Sequence, residues 1–168
     1  MGNVNFTQST ETANSQLLRR FAEVARRVNA ACARSGRNPS DVTIMAVTKY
    51  ANPLYVAELI KLGLIAHIGE NKAQDAIKRW SEPPLAQYSC SVARHFIGHL
   101  QSNKAGKAVQ FASSIDSIDS LHLAQVVARK AQEAGRVMPA LIQVKLTERD
   151  TQGGLGETEA RKLAETAA

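Results

Sequence analysis

The apolar positions of this chain switch repeatedly between two spacings. From Leu17 they fall at Leu17, Leu18, Phe21, Val24, Ala25, Val28 and Cys32, one face of a helix that Gly36 and then Pro39 bring to an end. The stretch before it, residues 1 to about 12, reads as a disordered lead. Val42 to Thr48 is a short, nearly continuous apolar run rich in β-branched residues, the pattern of a strand buried on both faces. Asn52 and Pro53 then supply a cap and a first helical position for a helix that turns Val56, Leu59 and Ile60 inward.

The alternation repeats. Leu64 to Ile68 predicts a second strand, and Asn71 to Trp80 a helix with Ala73, Ile77 and Trp80 on one side. After a linker holding Pro83 and Pro84, His95 to Ile97 reads as a third strand, with a helix over Ser102–Val109 capped by Ser102. Ser113 to Asp116 is the fourth strand, and Asp119 or Ser120 caps a helix carrying Leu123, Val127, Ala131 and Ala134, closed by Gly135. A fifth strand covers Ala140 to Leu146, and a last helix starts near Glu157 with Ala160, Leu163, Ala164 and Ala167 inward.

Strands alternating with amphipathic helices make βαβ units and a parallel sheet. Five units fit an open doubly wound sheet or part of a (β/α)8 TIM barrel. The absence of Gly-x-Gly-x-x-Gly after the first strand weighs against the dinucleotide-binding open sheet. A complete barrel takes at least ~200 residues, and this chain has 168. The expectation is therefore a lead over 1–12 and a partial barrel over 13–168 with about five βα units, truncated at its C-terminal side.

The formal charge of +6 invites a nucleic-acid partner, but the basic residues are scattered apart from Arg19, Arg20, Arg26 and Arg27 on the first helix. Charge without a patch reads as a solvated face, and aromatics at 5% do not interleave with it. Cys32 and Cys90 form no Cys-x-x-Cys pair, which disfavours a disulfide framework or zinc cluster. No apolar run is long enough to span a bilayer, and the N-terminus lacks the apolar core of a signal peptide. A cytoplasmic protein with neither a nucleic-acid nor a membrane partner is expected.

Function in parallel α/β proteins gathers at the carboxyl ends of strands. The polar residues there are Lys49, then Glu70 with Asn71, His99, Asp119, and Lys145 with Thr147. A lysine ending so apolar a run is partly desolvated, which frees its amine for Schiff-base chemistry. The plainer alternative is a side chain that snorkels out of a strand end. His95 through Lys104 is the densest polar cluster. His95 and His99 have metal-like spacing, but on a strand that spacing is too long for one ion. A binding loop around His99 and Gln101, with the Ser102 cap leaving amides for an anion, is the better reading beside a plain connection. Gly153-Gly154-Leu155-Gly156 lacks the lysine and hydroxyl of a P-loop and reads as a flexible connection. Cys90, in a polar linker, is a weak candidate nucleophile.

Three passages resemble the pyridoxal-phosphate homeostasis protein family, whose barrel is similar to the N-terminal domain of alanine racemase. They are Ala46-Val47-Thr48-Lys49, Ile68-Gly69-Glu70-Asn71 with Gln74, and His95 through Lys104. Ile115 to Ser120 and Leu141 to Val144 add support at the expected spacing. The resemblance implies a single-domain barrel that binds pyridoxal 5′-phosphate as a Schiff base on Lys49, with Asn71 near the ring and His99 shaping the pocket. It implies a role in vitamin B6 cofactor homeostasis without catalysis, since a racemase needs a second acid/base on the far face of the ring. The alternatives are a racemase-like enzyme using the same cofactor and a truncated copy that binds nothing. Tyr50 stands where the family has a smaller polar residue, and Gln152-Gly153-Gly154 where Lys-Ser-Gly is common. The family's phosphate-binding residues, after the sixth to eighth strands, find no match here. A complete barrel implies a monomer, whereas a partial one implies association through an exposed sheet edge.

Overall fold

The structure, a computed structural model, describes residues 6–146 and 153–167. The chain divides into two compact units, one running to Ile44 and the other starting at Met45. The first unit is helix α1, Phe6–Ser35, followed by a 3-10 turn at Pro39–Asp41. Arg37 N donates to Cys32 O at 3.0 Å and Gly36 takes φ +65°, so the helix closes on a left-handed glycine as read from the sequence. The expected disordered lead is helical from Phe6 onward, and the rest of it lies outside the described residues. The physical reason is that residues 6–16 contain no glycine or proline to stop the helix from extending back from its apolar stripe.

The second unit alternates strand and helix. The strands are β1 Met45–Val47, β2 His67–Glu70, β3 Ala93–Phe96, β4 Ser114–Ile118 and β5 Ala140–Ile142. The helices are α2 Pro53–Lys61, α3 Ala73–Ser81, α4 Ala105–Phe111, α5 Leu121–Glu133 and α6 Glu157–Ala167. All five strands pair in parallel in the order β1-β2-β3-β4-β5. A doubly wound sheet reverses its strand order at a switch point, and this one never does. The architecture is a run of βα units wound in one sense, a partial TIM barrel.

Local chemistry explains most element ends. Asn52 Oδ1 accepts from Leu54 N at 2.9 Å with Pro53 in the first turn, and Ser120 Oγ accepts from Leu123 N at 3.2 Å. β2 starts at His67, three residues later than the apolar run suggests. Gly63 at φ +68° lets Leu64 N donate back to Leu59 O at 3.0 Å, so that part of the run closes α2. Ser102 does not cap a long helix. It opens a 3-10 turn, Ser102–Lys104, and α4 follows with Lys104 at its N-cap and no side-chain cap.

The two faces of the sheet differ. Ile68, Phe96 and Ile115 are almost fully buried, as are Glu70 and Ser117. Register partners share a face in a parallel ladder, so Val47, Gly69, His95 and Ser114 lie together on the other one. Among the described residues no helix is long and apolar enough to cross a membrane.

Candidate functional site

Lys49 stands two residues past the end of β1, in a turn, and is partly buried. Its neighbour Thr48 is fixed twice. Thr48 N donates to Gly69 O at 3.0 Å, and Thr48 Oγ1 donates to Glu70 Oε1 at 2.7 Å. Trp80 Nε1 on α3 donates to the same oxygen at 3.3 Å. Glu70, read from the sequence as a residue of the open strand end, is 3% exposed and turned toward α3. It anchors the end of β1 and leaves the ligand side to others. Arg79 of α3 donates to Ala51 O, holding the same turn from its far side. Lys49 Nζ lies 5.4 Å from the centroid of the Tyr50 ring, within cation–π range.

The loops after β2, β3 and β4 are tied to one another. A methyl group on Gly98 would stand 2.4 Å from Asn71 O and 2.8 Å from its Cα, so the β3 loop rests on the backbone of the β2 loop. Ser117 Oγ donates to Gly98 O at 2.5 Å, and His99 Nδ1 lies 3.0 Å from Asp119 Oδ2. Asn71 and His99 line one cavity of about 370 Å³, together with residues of α3, the 3-10 turn and α4. Lys49 is not among that cavity's lining residues. The structure thus brings Asn71 and His99 together and sets Lys49 apart, in the turn after β1. Gly153 lies beside Gln143 and Asp119, and Gln143 Nε2 donates to Gly153 O at 2.8 Å. The glycine-rich passage is held against the segment after β5 by Leu155, which bridges Val144. Lys145 donates its backbone N–H to Leu155 O at 2.8 Å, while Thr147 and Gln152 lie outside the described residues. Cys90 is exposed and free.

One constellation escaped the sequence reading. His67 Nδ1 and His95 Nε2 are 3.0 Å apart, and His95 Nδ1 lies 2.8 Å from Asp116 Oδ2. Ser114 Oγ donates to Asp116 Oδ1 at 2.5 Å. With His95 Nδ1 on the carboxylate, its Nε2 faces His67 Nδ1, and one proton between those two nitrogens completes the hydrogen bond. A relay of carboxylate and two imidazoles therefore crosses β4, β3 and β2 on the face shared by Val47 and Gly69. His95 pairs with His67 and Asp116 here, whereas His99 turns to Asp119. Strand parity was the available signal, but it becomes readable only once the register is known.

No family model matches the chain. It is 29% identical over 146 residues to the pyridoxal phosphate homeostasis protein of Aquifex aeolicus, covering 87% of this chain and 62% of that relative. The chain is similar to the pyridoxal phosphate homeostasis proteins, that of Escherichia coli K12 included, at 29% identity over 147 residues. The structure of PipY from Synechococcus elongatus PCC7942 with pyridoxal phosphate bound superposes on this chain with a TM-score of 0.65 at 33% identity, over 85% of this chain and 63% of that one. A crystal structure of an unknown protein from Bifidobacterium adolescentis gives a TM-score of 0.82 at 26% identity, covering 92% of this chain and 64% of that one. Alanine racemase of Clostridium difficile 630, at 14% identity and a TM-score of 0.63 over 89% of this chain and 36% of that one, shares the fold. The chain spans about 60% of the length of the curated relatives it matches.

Proposed function

We propose that the chain binds pyridoxal 5′-phosphate covalently through Lys49 and serves the homeostasis of the vitamin B6 cofactor in the cytoplasm, without turning over a substrate. The observation that carries this reading is the placement of Lys49. A partly buried primary amine follows β1, and its backbone is held by the bonds of Thr48 to Gly69 and Glu70. The chain's relatives carry the cofactor in their names, and one is seen with it bound.

The residues present fit such a group. When bound, the cofactor supplies an aldehyde able to condense reversibly with an amine. Lys49 supplies the amine. Asn71 and His99 would offer an amide and an imidazole from the loops after β2 and β3 only where those side chains turn from their own cavity toward Lys49, and the contact of Gly98 with Asn71 ties the two loops together. A racemase would need a second acid/base across the ring, and the homeostasis name of the relatives supports a role without one.

The test is a visible absorption spectrum with added pyridoxal phosphate, followed by borohydride reduction and peptide mass mapping. One reduced adduct on Lys49, lost in Lys49→Ala, is expected. An adduct spread over surface lysines sinks the site assignment. Formation of D-alanine from L-alanine by the loaded protein, lost in Lys49→Ala, would show an enzyme instead.

A further inference from the structure

The cavity shared by Asn71 and His99 has a chemistry of its own. It opens on the helical side of the sheet, over Phe96 and Leu100, which are 2% and 3% exposed. Around that apolar floor stand Lys72, Lys104 and Lys107, with the carboxamides of Gln74 and Gln101 between them. The single carboxylate in the lining is Asp75, which faces Lys72 at 4.0 Å. Lys104 and Lys107 have no ion-pair partner among the described residues.

Each lysine is placed where the fold alone disfavours it. Lys72 is the N-cap of α3, makes no side-chain cap, and puts a cation at the positive end of a nine-residue helix. Lys104 and Lys107 are three residues apart on one short helical stretch, where like charges repel. A sequence consistent with its fold avoids such conflicts, and they concentrate where a ligand resolves them. A dianion at the rim would take charge-assisted hydrogen bonds from all three cations. The volume of about 370 Å³ falls in the ~300–1,000 Å³ range of small-molecule sites, more room than a bare anion needs.

We propose that this basin is a second, non-covalent site for a phosphate monoester carried on a small planar ring. The phosphate sits among Lys72, Lys104 and Lys107, and the ring lies over Phe96 and Leu100. The identity of the ring rests on the pyridoxal-phosphate reading, whereas the preference for a phosphate rests on the basin alone. A protein that buffers a phosphorylated cofactor would thereby hold it in two ways, as a slow covalent adduct and as a rapidly exchanging bound form.

Pyridoxine 5′-phosphate lacks the aldehyde and cannot condense with Lys49, so its binding reports non-covalent contacts alone, and the Lys104/Lys107 variants assign those contacts to the basin. Calorimetric titration of the whole chain should show saturable binding that persists in Lys49→Ala. Binding should weaken at least about tenfold in Lys104→Gln/Lys107→Gln, which removes two charge-assisted bonds. Lys104→Arg/Lys107→Arg should retain it, and circular dichroism checks that each variant is folded. Unphosphorylated pyridoxine should not bind. Binding that is absent, or unchanged in the glutamine variant, overturns the proposal. Inorganic phosphate binding as tightly as pyridoxine 5′-phosphate overturns the ring-bearing ligand. The borohydride adduct on Lys49 should form normally in the glutamine variant. Its absence from the unmodified chain would count against the Schiff-base reading while leaving the basin standing.

Discussion

Tyr50 sets the terms on which Lys49 can react. The contact between Nζ and the ring, at 5.4 Å, is made by the ammonium ion and is given up when the nitrogen condenses with an aldehyde. At an exposed position such a contact contributes ~0.5–1 kcal/mol, and Tyr50 is 80% exposed. Tyr50→Ser should therefore tighten pyridoxal phosphate binding by roughly two- to fivefold, read from titration of the cofactor's visible band. Weaker binding in the variant would mean that the ring supports the adduct. Glu70 works at the same scale from the opposite face. Its carboxylate accepts from Thr48 and from Trp80, so a side chain counted from the sequence among the polar strand ends instead fixes the backbone on which Lys49 is mounted.

Among the elements, the loops after β2 and β3 are the most constrained. A methyl at Gly98 meets the Asn71 backbone at 2.4 Å, and a backbone cannot rotate away. At Gly69 the nearest atom is Ile97 Cδ1 at 2.9 Å, the free end of a flexible side chain. Gly98→Ala should destabilise by about 1–3 kcal/mol, lowering Tm by roughly 3–10 °C, and Gly69→Ala by clearly less. Equal thermal shifts in the two variants would refute this account of the packing. The contrast also marks what the sequence could tell. Helices and caps were legible at Asn52, Ser120, Gly36 and Gly135, because propensity and capping act within a few residues. Alternation with helices made a parallel sheet legible, whereas the sequential strand order is seen only in the pairing, since a doubly wound sheet has the same alternation. The start of β2 was not legible, because Leu64 looks equally apolar in a strand and in a helix-closing turn. The His67–His95–Asp116 relay and the bond from Thr48 to Glu70 were hidden for a different reason. Each joins residues at least 21 positions apart and depends on strand register.

At the scale of the whole molecule, net charge and sheet edges act against each other. β1 and β5 are the outer strands of the sheet, and Val47 and Leu141 on them are 53% and 60% exposed. Unpaired strand edges with apolar side chains attract further strands. A two-fold axis along the strand direction would bring β5 of one copy beside β1 of another in parallel, burying both edges of both copies. The formal charge of +6 opposes that approach, and its range shrinks from ~30 Å at 0.01 M salt to ~10 Å at 0.1 M. Self-association should therefore strengthen as salt is raised, the reverse of what an ion-paired interface would do. Sedimentation velocity over a range of protein and salt concentrations should show a weight-average coefficient that rises with both. Leu141→Lys, which places a charge on one edge, should suppress the rise. A coefficient independent of protein concentration, or one that falls with salt, would leave both edges without an affinity for each other.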